Sequence, residues 1–503
     1  MDRERASATH GLPRFALGPV AGLAAVLATV LTALSGRYGY HRDELYFLAA
    51  GDHLAWGYTD QPPLTPFAAR VATEVFGESP AALRVPATLA LVATLFVVAL
   101  IARELGGDRR VQVLAAGLAG VGGQPLAVGH MLSTATFDLL AWLAICWLLL
   151  RLLRTGDGRW WVPTGLCVGA GLLNKYLVAL LVLVLLAAVL PMGARRLPRG
   201  PWLFAGTAAA LVVAAPALWW QAAHGWPQLT VAGGISADDG AENRILFVPQ
   251  QLIYLSPLFV PVWVAGWLRL WRDPALRFAR PFALAYPLLC LLVLALGGKG
   301  YYAVPLLIVL LAAGCAPALE QLRRAGASRL RAVGAAAAVA VTVVINAAVT
   351  LPVLPPSALD VPMALNKEQG EQLGWPELAD AAARGWSGIP EGRRASAVLF
   401  TQNYGEAGAL DRYGPALGLP RPHSGHMAYA DWGPPPDTAD GPVLLVRQQG
   451  ADGIERYFTG CRPVARVDNG HGVRNEEQAA AVVLCSGTVL PWSRLWPSLR
   501  HYY

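Results

Sequence analysis

The sequence predicts a polytopic α-helical membrane protein of about 11 transmembrane helices with a small C-terminal extracytoplasmic α/β domain. Three observations carry this expectation. The 503 residues are 55% hydrophobic and only 15% charged, with mean hydropathy +0.43, where a soluble protein carries about a quarter charged residues. The apolar residues collect in runs of roughly twenty, the length that crosses the hydrocarbon core as helix. Near residue 352 the texture changes: Leu354-Pro355-Pro356-Ser357 opens a stretch with Pro and Gly punctuation, ordinary charge and no spanning run.

The runs fall at 13–35, 81–103, 111–129, 134–153, 160–174, 176–193, 201–222, 245–268, 280–297, 301–319 and 331–351, with a membrane domain over 1–351 and a separate domain over 352–503. The first is longer than the apolar core of a cleaved signal peptide and is read as an anchor. With the N-terminus inside, the inward segments before residue 352 carry 20 basic residues, among them Arg3, Arg5, Arg195, Arg196 and Arg199, and the outward segments carry 7. That asymmetry is the positive-inside pattern. It predicts a cytoplasmic N-terminus and an extracytoplasmic C-terminal domain, in a bacterial-type plasma (inner) membrane. The net charge of +7 is then a topological device, and a nucleic-acid partner is not expected. Cys146, Cys167, Cys290 and Cys315 fall in spans as packing residues, while Cys461 and Cys485 fall on the oxidising side and are expected to form a disulfide.

Chemistry gathers first in the outward loop 36–80. Tyr38-Gly39-Tyr40-His41-Arg42-Asp43-Glu44-Leu45-Tyr46-Phe47 follows the first span and leads to Asp60-Gln61-Pro62-Pro63-Leu64. A helix is expected from Asp43 to Leu54, with Asp43 near its N-terminus, where a carboxylate interacts well with free backbone N–H groups; Pro62-Pro63 ends any helix. Adjacent carboxylates, an Arg and aromatics where the chain has just left the bilayer point to a membrane-surface active site.

Further along, Asp138 stands in His130-Met131-Leu132-Ser133-Thr134-Ala135-Thr136-Phe137-Asp138, at the outward end of the fourth span. A carboxylate in a membrane helix is expensive and marks either a function or an ion pair. The chain has three Lys, and Lys175 and Lys299 sit at outward span ends as Asn174-Lys175-Tyr176 and Gly298-Lys299-Gly300-Tyr301-Tyr302. An ammonium on a flexible stem suits a phosphate, and flanking Gly lets backbone N–H groups approach it; interfacial anchoring by Lys and Tyr is the alternative. Between His224 and Arg244, Asp238, Asp239 and Glu242 invite a metal, but no ligand spacing separates that from a solvated loop. No cofactor is certain, and a divalent metal is left open.

The Asp-Glu pair in the first outward loop, followed some twenty residues later by Pro-Pro-Leu, resembles the polytopic lipid-linked-sugar transferases of the GT-C class. The nearer likeness is to the bacterial relatives of dolichyl-phosphate-mannose:protein mannosyltransferases, glycosyltransferase family 39, and of the aminoarabinose transferases acting on lipid A. The resemblance implies Asp43 as catalytic base with Glu44 supporting it, and Asp138 as a second acidic residue of the same cavity. It departs at Gln61, where the aminoarabinose transferases carry a Lys, so Lys299 or Arg244 would compensate in phosphate binding. Arg42, Tyr46, Gln61, His130, Lys175, Arg244, Lys299, Tyr301 and Tyr302 are the candidate substrate contacts.

The expected function is an inverting glycosyltransferase. It moves a sugar from a polyprenyl-phosphate donor to an acceptor hydroxyl of a protein, lipid or cell-envelope glycan on the outer face of the membrane. A base removes the acceptor proton while cations stabilise the departing phosphate. The rival reading is a membrane transporter or lipid flippase for a lipid-linked sugar, which would show interrupted midplane helices and internal symmetry; a membrane scaffold is a third. In the C-terminal domain, strand-like runs at 395–401, 442–447 and 479–484 alternate with helix-like 406–413 and 450–458. Thr401-Gln402-Asn403-Tyr404-Gly405-Glu406 there reads as strand, turn and capped helix.

Overall fold

The computed structural model describes residues 11–193, 197–198, 200–324 and 329–502. Arg3, Arg5, Arg195, Arg196 and Arg199, counted above on the inward side, lie outside them. Among the described residues seven helices are long and apolar enough to cross a membrane: Leu17–Leu34, Pro80–Glu104, Thr134–Thr155, Pro201–Ala223, Pro274–Leu296, Gly300–Arg323 and Arg329–Thr350. Two bent pairs, Arg109–Gly120 with Gly123–His130 and Gly240–Ile253 with Pro257–Arg272, bring the number to 9 if each is one span. The remaining runs form shorter helices, Trp161–Leu172 and Val178–Gly193.

The two bends meet. Backbone polar groups freed at a helix break cannot go unpaired in hydrocarbon, and here each break satisfies the other. Gly123 N and Gln124 N donate to Leu255 O and Tyr254 O at 3.3 and 2.8 Å. Asn346, on the last span, donates to Val121 O and Leu255 O at 2.8 Å each. Elsewhere small residues let helices touch backbone to backbone: a Cβ added to Gly266 would stand 1.9 Å from Leu310 O, and one on Gly314 1.8 Å from Val262 O. Close approach of this kind carries helix association where lipid is as apolar as leucine.

Beyond the last span the chain forms a five-stranded sheet from β1 (Val398–Thr401), β2 (His423–Ser424), β3 (Val443–Arg447), β4 (Arg462–Arg466) and β5 (Ala481–Cys485), in the order β2-β1-β3-β5-β4. β1 pairs parallel with β2 and β3, while β3–β5 and β5–β4 are antiparallel. β1 is buried throughout and β3 nearly so, because helices cover both faces. Trp375–Ser387 and Tyr404–Tyr413 lie on one, and Trp492–Leu499 on the other. Cys461 and Cys485 are joined in a disulfide, and the four helical Cys are free. The expected helix at 450–458 is instead a 3-10 segment, Asp452–Tyr457.

One contact fixes the functional geometry. The helix Tyr404–Tyr413 lies across the helix Arg42–Asp52, and the crossing is built on glycine. A Cβ on Gly405 would fall 2.4 Å from Arg42 Cγ, and one on Gly408 2.9 Å from the Leu45 carbonyl carbon. The C-terminal segment thereby reaches the Asp-Glu stretch.

Candidate active site

The helix of the Asp-Glu stretch runs Arg42–Asp52, one residue earlier than expected. Its N-cap is His41: the ring Nδ1 accepts from Asp43 N at 3.1 Å, and Glu44 Oε2 accepts from His41 N at 2.9 Å. This reciprocal capping satisfies two free N–H groups and sends the two carboxylates opposite ways. Glu44 points inward, fully buried, and takes Arg84 with Nε at 2.9 Å and Nη2 at 2.7 Å. Arg84 also donates to Ser35 O at 2.6 Å and Gly39 O at 2.9 Å, and Leu132 N donates to Glu44 Oε1 at 3.0 Å. His130, fully buried, stands 3.4 Å from Arg84 and belongs to this knot. Glu44 therefore does not touch Asp43, and its carboxylate is occupied by structure.

Asp43 points the other way, with its side chain 37% exposed. Tyr404 Oη, from the first residue of the C-terminal helix, donates to Asp43 Oδ1 at 2.8 Å. Burial, with the Asp43 charge adding to it, pushes the Tyr404 phenol well above its usual range, so it stays protonated and donates. Arg42 lies over the Tyr404 ring at 5.6 Å and pairs with Glu476 at 2.7 Å. His41 Nε2 meets Glu368 at 3.0 Å. Burial opposes ionisation of Glu368, yet the His41, Arg42 and Lys299 charges outweigh it and hold the carboxyl at about 2.

Further candidate residues come from helix ends. Lys175 donates to Tyr301 Oη at 3.1 Å, and its ammonium lies 5.2 and 5.1 Å from the Tyr301 and Tyr302 ring centres. Asp138, 5% exposed with Oδ1 unpaired, lies in the field of Lys175, and Tyr301 in the fields of both Asp138 and Asp43. Lys299 is half-buried and acts on Glu368, and its side chain makes no hydrogen bond or ion pair among the described residues. The break between Trp161–Leu172 and Val178–Gly193 presents Lys175. Asn174 pins it, accepting from Thr65 at 2.8 Å and donating to Thr134 O at 2.7 Å. Asp43 and Asp138 thus both act on Tyr301, beside which Lys175 lies, while Lys299 acts on Glu368, the partner of His41.

Tyr46 is buried and donates to Asp60 Oδ1 at 2.5 Å; burial lifts that carboxyl to about 7. Gln61 is buried with neither amide atom paired among the described residues. Arg244 caps a helix end, donating to Leu294 O and Ala295 O at 3.1 and 3.3 Å. Among the described residues no three His, Cys, Asp or Glu side chains are grouped to hold a metal. Tyr404 and Glu368 are the contributions not foreseen. Tyr404 lay in a stretch readable as a helix cap, which Asn403 and Glu406 do form, and Glu368 lies in no motif.

Two comparisons place this geometry among known proteins. Residues 60–220, about a third of the chain, match the family described as dolichyl-phosphate-mannose-protein mannosyltransferase. Two crystal structures of ArnT from Cupriavidus metallidurans are similar in fold at 15% identity, each covering 93% of this chain and 97% of that one. The TM-score is 0.61 with the form bound to undecaprenyl phosphate and 0.53 with the apo form. No curated protein matches the sequence. The resemblance carried by Asp43-Glu44 and Pro62-Pro63-Leu64 is borne out: this is a multi-pass membrane chain similar in fold to ArnT and, over 60–220, in sequence to the protein mannosyltransferases.

Proposed function

We propose that the protein is an inverting glycosyltransferase that moves a sugar from a polyprenyl phosphate to an acceptor hydroxyl on the outer face of the membrane. The observation that carries this reading is the half-exposed Asp43 carboxylate, held by Tyr404 and acting on Tyr301, the hydrogen-bond partner of Lys175. Asp43 takes the acceptor's proton as its oxygen bonds to C1 of the sugar from the face opposite the phosphate. The C1–O bond to phosphate breaks, and the departing phosphate gains negative charge, which Lys299 and Lys175 stabilise. Tyr404 aims the base, and Glu44 positions it through the backbone of its helix. Asp138 lies in the field of Lys175 and adds a second acidic group to the site. The undecaprenyl phosphate bound in ArnT supports a long-chain polyprenyl phosphate as the donor lipid here.

In this reading eleven spans make up a membrane domain over 1–351, the N-terminus is cytoplasmic, and 352–503 lies outside. The arginine asymmetry supports that orientation, and the join of Tyr404 to Asp43 requires both to be on one side. Purified protein given polyprenyl-phosphate-linked sugar should release polyprenyl phosphate. Asp43→Asn should slow this by about 10² to 10⁴, the usual worth of general-base assistance, while the protein still inserts and melts as wild type. Near-wild-type transfer by Asp43→Asn would remove the assignment.

A further inference from the structure

A second cavity, of about 640 Å³, opens where the C-terminal segment meets the end of the Pro201–Ala223 helix. Asp43 does not line it. Its aromatic rings come as two flat stacks: His53 on Trp432 at 4.2 Å and 17°, and Trp220 on His224 at 4.0 Å and 14°. Its ionic groups are Asp431, which accepts from Thr59 Oγ1 and Arg500 Nη2, and Arg500, which also donates to Tyr502 Oη at 2.8 Å. The Asp431 and Arg500 side chains remain about a third exposed, at 32% and 37%, so both can bond a ligand. Gly57 leaves the room for Trp220: a Cβ there would fall 2.6 Å from the indole ring.

We propose that this cavity binds a carbohydrate, the glycan portion of the acceptor. An indole or imidazole face carries negative charge density, and the C–H-bearing face of a sugar ring is its electropositive complement. The ring hydroxyls present at their edge both donors, suited to Asp431, and acceptors, suited to Arg500. The size falls within the range of small-molecule sites, about 300 to 1,000 Å³. A lipid tail would cover the exposed parts of the Asp431 and Arg500 side chains without bonding them, where a sugar's hydroxyls bond both. The cavity is also joined to the catalytic region. Ala428 lines it and donates to Tyr46 Oη at 3.3 Å, and the Tyr46 ring lies 4.9 Å from that of Tyr404. One aromatic layer thus separates the bound glycan from the base. The assignment rests on the transferase reading for its biological meaning, but the binding it predicts does not.

Full-length protein in detergent is titrated by calorimetry with mannotriose, arabinotriose and tri-N-acetylchitotriose, and in parallel with undecaprenyl phosphate. Wild type should bind at least one trisaccharide. Trp432→Ala and Gly57→Ala should weaken that binding about tenfold, the worth of one aromatic contact or somewhat more, and Asp431→Asn by several-fold. All three should bind undecaprenyl phosphate as wild type does, which excludes misfolding; Asp43→Asn should bind the trisaccharide unchanged. If none of the three trisaccharides binds wild type, or if one binds equally to Trp432→Ala and Gly57→Ala, the proposal fails. Trisaccharide binding lost in these variants, with no uptake of undecaprenyl phosphate by wild type, would keep the carbohydrate site and overturn the transferase reading instead.

Discussion

Asp43 and Glu44 are neighbours in the chain and opposites in the fold. Glu44 lies on the inner face of its helix with no exposed side-chain area, and its oxygens are taken by Arg84 and two backbone N–H groups. Asp43 lies on the outer face, open to the cleft, with one hydrogen bond from a residue 361 positions away. A carboxylate whose lone pairs are filled and whose charge is matched has nothing left for a substrate. One whose side chain takes a single hydrogen bond, from a phenol, and stays 37% exposed has capacity to spare. The chemistry of the pair is divided by which way each side chain leaves the helix, and His41 sets that by capping it.

The sharpest way to break this comparison is to remove the inner partner. Glu44→Ala leaves Arg84 charged and unpaired in the interior, a change that costs about 3 to 5 kcal/mol, so the variant should be recovered poorly and melt early. If it folds as wild type and loses only activity, Glu44 belongs to the reacting centre. On the outer side, Tyr404→Phe removes a hydrogen bond to a charged group, worth about 1.5 to 3 kcal/mol when buried and less here. We expect kcat to fall about tenfold with little change in melting. Lys299→Ala should act on the donor alone and raise its KM about tenfold if the contact is equal in ground and transition states; an unchanged KM would assign Lys299 to interface anchoring.

A smaller effect separates Asp60 from both carboxylates. Burial holds Asp60 at about 7 in the folded protein, against roughly 4 unfolded, so the folded state binds the proton more tightly. Its stabilising contribution is complete below about pH 4 and is lost as pH rises through 7. Glu371, lifted to about 7 chiefly by burial, adds a slope of the same sign. Melting temperature should therefore fall between pH 5 and 8, and Asp60→Asn with Glu371→Gln should flatten the fall; an undiminished slope in the double variant would show that other groups carry it. Smallest of all, Arg244→Ala removes a cation from a helix C-terminus, worth about 0.3 to 1 kcal/mol. It should leave donor KM untouched, in contrast to Lys299→Ala.

What was legible in advance followed from local rules. Runs such as Leu17–Leu34 and Arg329–Thr350 are visible because hydrocarbon forces about twenty apolar residues into helix. The strands at Val398, Val443 and Ala481 were visible as β-rich runs between Pro and Gly. Asp138, Lys175 and Lys299 were visible because a charge at a span end is costly without a purpose. Arg244 met the same test, but its contacts with the carbonyls of Leu294 and Ala295 were not visible, since these lie 50 and 51 residues on.

By itself, then, the sequence determined which runs are apolar enough to form long helices and which ionisable groups stand at their ends, because each depends on a residue's own transfer energy and its near neighbours. The tertiary structure alone decided that Glu44 is spent on Arg84, that Tyr404 reaches Asp43 across a crossing only Gly405 and Gly408 permit, and that His53, Trp220 and Trp432 enclose one cavity. Each of these joins residues tens to hundreds of positions apart. No local preference encodes such a meeting, which exists only once packing has brought the surfaces together.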